Sequence, residues 1–212
     1  MKKLLFTTTF LLLITTFADA QPKQSKITDY FDKNSQITVL SQTGDDRIQE
    51  DVSPDGKYAS FVRGNNLFVT EIATGKTVQL TKDGDENHFN GVLDWVYEEE
   101  LYGRGNRRGY FWSPDSSAIA FLHFDESPVP KFTVVNHISE TERLSGQTIE
   151  NTSYPKSGDK NPIVTLGIAD VKSGSVTFVD TTNYNPEDFI IARVGWSGDS
   201  KRVLFQAQNR EQ

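Results

Sequence analysis

Short hydrophobic runs recur along the chain between polar segments rich in turn-forming residues. Residues 58–63, 67–72 and 77–81 are such runs, and the turns Gly-Asn-Asn and Ala-Thr-Gly-Lys separate them. Runs of about this length that are rich in Val, Phe, Tyr and Thr and bounded by Gly and Asn are typical of β-strands joined by tight turns. The pattern therefore predicts an all-β protein.

One arrangement of turn and strands recurs. A Ser-Pro-Asp or Ser-Gly-Asp turn begins at Ser53, Ser113 and Ser197, and a hydrophobic run follows each. Residues 163–179 repeat the strand, turn and strand found around residues 67–81. A four-stranded unit that recurs in this way predicts a β-propeller. The turns begin 60 and 84 residues apart, more than the roughly 40 to 50 residues of a plain blade, so both units are expected to carry insertions.

The number of units is too small for a ring. About three units are present, and the last has two strands before Gln212, whereas closed propellers have about 4 to 8 blades. The sequence therefore predicts a partial, unclosed propeller over residues 48–212, cut from a longer gene product.

The first twenty residues have the pattern of a secretory signal peptide. Lys2 and Lys3 precede an apolar run over residues 4–17, and Ala-Asp-Ala at 18–20 matches a cleavage site. Residues 21–47 are polar and predict a linker. We expect an exported protein, periplasmic or extracellular, or membrane-associated if the signal is not cleaved.

Composition narrows the function. The net charge is −7, which disfavours nucleic-acid binding because phosphates require a basic face. Cysteine is absent, so thiolate catalysis and Cys-based metal sites are excluded. His88, His123 and His137 match no ligand spacing. We expect no metal and no cofactor.

The insertion after the first unit contains the candidate chemistry. Residues 90–101 lack Gly and Pro after Gly91, include an Asp that could cap a helix, and contain three successive glutamates, 98–100. This predicts a short helix. The glutamates have two readings: ordinary surface carboxylates, or a pair that accepts hydrogen bonds from the α-amino group of a peptide, which has a pKa of about 8.

Residues 94–100 (DWVYEEE) resemble the double-glutamate motif of the dipeptidyl peptidase IV family of serine peptidases, family S9B. The similarity continues at the segments 110–115, 121–130, 154–158, 161–162 and 208–210. By position, the resemblance implies that Glu99 and Glu100 bind the N-terminal ammonium of a peptide substrate. It also implies an eight-bladed propeller that caps an α/β-hydrolase domain and release of dipeptides with Pro or Ala in second place. Family members are oligomeric, which leaves a homodimer open for the complete enzyme.

Catalytic residues are not expected in this chain. Ser197 lies in a Gly-Trp-Ser-Gly-Asp segment that resembles a nucleophile elbow, but the fifth residue is Asp and the segment is in register with the turn at Ser113. We expect the catalytic α/β-hydrolase domain to lie outside this chain and the chain alone to be inactive. No upstream motif matches the substrate-binding arginine of the family, and that position is unassigned. The alternative function is a freestanding secreted β-propeller that binds a partner without catalysis.

Overall fold

A computed structural model describes residues 46–136 and 148–211. The chain divides into two units, Met1–Leu40 and Ser41–Gln212, and all described residues belong to the second. The predicted signal peptide, all of the predicted linker except residues 46–47, and His137 lie outside the described residues.

The described residues form antiparallel strands connected by short turns. These strands are β1 (Ile48–Val52), β2 (Tyr58–Arg63), β3 (Asn66–Glu71), β4 (Thr77–Gln79), β5 (His88–Asn90), β6 (Tyr110–Trp112), β7 (Ala118–Asp125), β8 (Lys131–Asn136), β9 (Thr148–Ser153), β10 (Ile163–Asp170), β11 (Val176–Phe178), β12 (Ile190–Trp196) and β13 (Val203–Gln208). A π-helical segment spans Tyr97–Tyr102 and a 3-10 turn spans Pro186–Asp188.

Strands β1 to β4 form the first sheet in chain order, β1-β2-β3-β4. The turn between β2 and β3 consists of Gly64 and Asn65, which both have positive φ angles of 53° and 56°. Two such residues give the type I′ turn whose twist matches a β-hairpin. The first predicted unit is therefore present as a four-stranded sheet.

The second sheet has β11, β10 and β7 side by side, and two short strands pair with the same edge of β7. Strand β6 pairs with residues 119–121 of β7 and β5 with residues 123–125. Strands β6, β7, β10 and β11 are the predicted second unit, and β5 comes from the insertion that precedes it. The other insertion forms a separate two-stranded sheet, β8-β9, whose β8 residues are all exposed.

The third unit appears as the two-stranded sheet β12-β13. No closed ring of sheets exists among residues 46–136 and 148–211, as expected for a partial propeller. In the same part of the chain, no helix is long and apolar enough to cross a bilayer.

Strand β7 lies at the centre of the hydrophobic core because both of its faces are covered. Phe121 is fully buried on the face that packs against the first sheet. Leu122 and Phe124 are fully buried on the opposite face, toward the π-helical segment and β12. Burying a side chain of this size contributes about 1.5–3 kcal/mol, so β7 holds both neighbours in place.

The Ser-x-Asp turns repeat in structure as well as in sequence. The hydroxyls of Ser53, Ser113 and Ser197 donate to Oδ1 of the Asp two residues later, at 2.7, 2.7 and 2.6 Å. The Ser197 hydroxyl is thus engaged as a turn residue, as expected. The turns also link neighbouring sheets. The amide of Asp55 donates to Oγ of Ser116 at 3.0 Å, and the amide of Asp115 donates to Oγ of Ser200 at 3.0 Å.

Candidate functional site

The glutamates 98–100 lie on the π-helical segment. The sequence predicted a short helix here, and the structure has its π form, in which each hydrogen bond spans five residues. Asp94 is buried just before this segment, and its carboxylate accepts hydrogen bonds from the amides of Val96 at 3.0 Å and Tyr97 at 3.1 Å. The carboxylate of Asp94 therefore holds the first amides of this turn. Burial raises the pKa of Asp94 to about 7, against the lowering effect of the two hydrogen bonds.

Strand β12 of the third unit contacts both ends of the segment. The hydroxyl of Tyr97, a side chain that is only 2% exposed, accepts a hydrogen bond from the amide of Ile191 at 3.1 Å. At the other end, Nη1 of Arg193 donates to the carbonyl of Leu101 at 2.8 Å, and its guanidinium lies over the ring of Tyr102 at 5.3 Å. A cation at the last carbonyls of a helical turn is favourable. These contacts fix the position of the glutamates relative to β12.

The three glutamates have different partners. Glu98 forms an ion pair with Arg107 at 3.0 Å, and Glu99 forms one with Arg104 at 2.7 Å. Their side chains are 17% and 20% exposed. Glu100 is exposed and has no ion pair or hydrogen bond with the residues that the structure describes. Of the three carboxylates, that of Glu100 is therefore the one available to an incoming cation.

A loop with three arginines, Arg104, Arg107 and Arg108, follows the π-helical segment. In the structure each arginine has a carboxylate partner, and the third pairs with Asp51 at 2.7 Å. The loop therefore folds back over the π-helical segment. Composition could not show this, because the pairing depends on how the chain returns after Gly103.

Two clefts flank this segment, and Trp95 lines both. The first, of about 480 Å³, is lined by Trp95, Val96, Glu100, Tyr154, Pro155, Lys156, Ser157, Asn161 and Arg210. The second, of about 440 Å³, contains Glu98 together with Arg107 and Glu126. Glu99 lines neither of these two clefts. The structure thus places the two predicted ligands on one turn, with only Glu100 facing the first cleft.

Trp95 and Tyr97 are the aromatic residues that precede the glutamates, and both pack against other rings. Tyr97 is buried, with its ring edge on Phe124 at a centroid distance of 4.7 Å. Trp95 is half-buried and packs on Tyr154 at 4.4 Å. Trp95 therefore joins the segment to the polypeptide that follows β9, and it also forms part of the wall of both clefts.

The histidines come together in a way that sequence spacing does not reveal. The rings of His88 and His123 stack at a centroid distance of 6.2 Å because β5 pairs with β7. The hydrogen bond to Asp85 raises the pKa of His88, whereas burial lowers the pKa of His123. Within the described ranges, no three His, Asp or Glu side chains are arranged to hold a metal ion.

Residues 8–212 match the family model described as the dipeptidyl peptidase IV (DPP IV) N-terminal region. This match covers nearly the whole chain. The chain belongs to the dipeptidyl peptidase IV N-terminal region family. Its sheets are accordingly blades of a partial β-propeller.

The curated relatives of this dipeptidyl peptidase IV N-terminal region include two fungal proteins. A probable dipeptidyl-aminopeptidase B of Emericella nidulans is 40% identical over 167 residues, covering 75% of this chain and 18% of the relative. A probable dipeptidyl peptidase 4 of Aspergillus fumigatus is 37% identical over 199 residues, covering 91% of this chain and 25% of the relative. The chain therefore spans about a fifth to a quarter of the length of these relatives.

A solved structure shares the fold of this dipeptidyl peptidase IV N-terminal region. The structure of Porphyromonas gingivalis dipeptidyl peptidase 4 matches with a TM-score of 0.71 and 30% identity, covering 81% of this chain and 23% of that protein. A putative dipeptidyl aminopeptidase IV of Bacteroides ovatus matches with a TM-score of 0.63 and 26% identity, covering 79% of this chain.

Proposed function

We propose that this chain is the part of an exported dipeptidyl peptidase IV-like serine exopeptidase that holds the N-terminal ammonium of the peptide, through Glu99 and Glu100. The observation that carries the proposal is the state of Glu100. Its carboxylate faces a cleft of about 480 Å³ and has no partner among the described residues. The preceding residue, Glu99, forms an ion pair with one arginine, Arg104.

The chemistry of the two carboxylates suits an ammonium group. A peptide α-amino group is cationic near neutral pH and has three hydrogen-bond donors. Glu100 accepts one donor without first losing a partner. The ion pair between Arg104 and Glu99 involves an arginine side chain that is 85% exposed. Water screens an ion pair whose arginine is this exposed, so Glu99 can exchange Arg104 for the substrate.

A rigid support is needed if the two glutamates are to measure distance from the peptide N-terminus. Two hydrogen bonds that join the segment to β12 supply that support: the amide of Ile191 donates to the hydroxyl of Tyr97, and Arg193 donates to the carbonyl of Leu101. Hydrolysis itself requires a nucleophile, a general base and an orienting carboxylate. In this proposal these come from the α/β-hydrolase domain of the complete enzyme, and Ser197 takes no part.

The proposal is tested by the complete gene product and its hydrolysis of a Gly-Pro chromogenic substrate. A charge-assisted hydrogen bond is worth about 1.5–3 kcal/mol, so Glu100→Gln should lower kcat/KM about 10- to 150-fold. Glu99→Gln should also lower it. Glu98→Gln removes the same charge from the same turn but lies on the other side of Trp95, and it should have a smaller effect.

Two results would contradict the proposal. One is equal loss of activity in the Glu98 and Glu100 variants, since the effect would then come from total charge. The other is a complete gene product that hydrolyses no dipeptide substrate, which would favour the freestanding binding propeller.

A further inference from the structure

The first cleft contains two cations as well as Glu100. Lys156 and Arg210 are exposed residues that line it together with Glu100. When the ammonium of a peptide neutralises Glu100, the charged side chains that remain in the lining are these two cations.

Both cations lie at the cleft and make contacts other than ion pairs. The backbone amide of Lys156 donates to Oδ2 of Asp159 at 3.0 Å, and its Nζ lies 4.8 Å from the centroid of the Phe132 ring. Nη1 of Arg210 donates to the backbone carbonyl of Asp159 at 2.7 Å. Neither side chain forms a salt bridge within the part of the chain that the structure describes.

The lining of the cleft also contains two aromatic rings. Trp95 and Tyr154 pack against each other at a centroid distance of 4.4 Å, and both line the cleft. Aromatic rings contact the methylene groups of a side chain while its polar end reaches the rim. The volume of about 480 Å³ lies within the roughly 300–1,000 Å³ of small-ligand sites, which is room enough for one side chain.

We propose that this cleft receives the first side chain of the bound peptide and favours Glu or Asp there. The inference rests on the proposed function, since Glu100 must hold the ammonium. The first side chain is attached to the same carbon as that ammonium and therefore enters the cleft beside Glu100. Trp95 and Tyr154 contact its methylene groups, and Lys156 and Arg210 attract its carboxylate.

The test compares kcat/KM of the complete gene product for Glu-Pro and Gln-Pro chromogenic substrates, which differ by one charge and have the same shape. Unit charges about 4 Å apart in water interact by about 1 kcal/mol, which is about fivefold in rate. The wild type should prefer Glu-Pro. Lys156→Gln and Arg210→Gln should each lower the preference about fivefold, and Lys156→Glu should lower it further. Lys160→Glu is the matched control, because Lys160 pairs with Glu187 at 2.9 Å and does not line the cleft.

The outcomes separate this inference from the proposed function. If Glu100→Gln lowers kcat/KM for both substrates but the wild type shows no preference for Glu-Pro, the specificity inference alone is overturned. It is also overturned if Lys160→Glu changes the preference as much as Lys156→Glu. If Glu100→Gln leaves both rates unchanged, or no substrate is hydrolysed, the proposed function is overturned with it.

Discussion

Replacing Tyr97 by Phe tests whether the third blade anchors the glutamate-bearing segment. The substitution keeps the ring, which packs on Phe124 at 4.7 Å, and removes only the hydroxyl that accepts from the amide of Ile191. Both residues are buried, with exposed fractions of 2% and 0%. Water therefore cannot easily replace the lost partner, and the amide of Ile191 is left unsatisfied.

The expected cost follows from that orphaned donor. A buried donor without a partner costs about 1–3 kcal/mol, which is a large share of the roughly 5–15 kcal/mol that stabilises a folded domain. Exchange of the Ile191 amide should become faster by about 5- to 150-fold, the factor that corresponds to this energy.

Two assays on the purified protein check the prediction. Urea unfolding gives the loss of stability from the shift of the midpoint, and hydrogen exchange reports the amide of Ile191. Tyr184→Phe is the control, because Tyr184 is 45% exposed and stacks on Phe189 in the same way as a Phe would. Its effect should stay within about 0.5 kcal/mol. Unchanged stability and unchanged exchange at Ile191 in Tyr97→Phe would refute the anchoring.

Substitutions at three further positions probe the fold. Ser116→Ala removes the acceptor for the amide of Asp55 and should lower the free energy of unfolding, measured with urea, by about 1 kcal/mol. Ser116→Gly should cost less, because φ is 61° at this position, and equal costs would contradict this. Burial raises the pKa of Asp94 from 3.8 to about 7, so the folded protein keeps a proton that the unfolded chain releases, and stability should fall as pH rises from about 4 to 7. Asp94→Asn should flatten that slope in urea unfolding measured across this range, and an unchanged slope would contradict the assignment. Gly167→Ala would place a Cβ 2.3 Å from the ring of Phe121. This overpacking should lower the free energy of unfolding by about 1–3 kcal/mol, and each kcal/mol should lower Tm by about 2–4 °C. An unchanged Tm would contradict the prediction.

The blades could be predicted from the sequence because their turns have strict chemical requirements. The Ser-x-Asp turn needs a hydroxyl at its first position and a carboxylate at its third, and Ser53 and Ser113 have the same contacts in the structure. The strand that follows each turn must also cover a buried face. A prediction based on these two requirements located strands β2, β7 and β13 correctly.

The insertions could not be predicted in the same way. Strand β8 is exposed along its whole length, so burial imposes no hydrophobic pattern on it. Strand β5 has only three residues and is defined by its pairing with β7, which is a long-range contact. The sequence indicated a helical turn at the glutamates but not its π form.

The candidate site was only partly visible in the sequence. The motif at residues 94–100 identified the glutamates, but the partners of Glu98 and Glu99 come from a loop whose glycines allow many paths. Arg193 is about ninety residues from the carbonyl that it holds, and no local signal marks it. Long-range polar contacts of this kind require the folded structure.

A cycle that combines one substitution with one change in the peptide tests the central claim most directly. Hydrolysis of a Gly-Pro substrate is compared with that of its analogue in which a hydroxyl replaces the α-amino group, in the wild type and in Glu100→Gln. If the carboxylate of Glu100 binds the ammonium, loss of the amine should lower kcat/KM strongly in the wild type and much less in the variant. Equal losses in the two proteins would contradict the claim, because the two groups would then contribute independently.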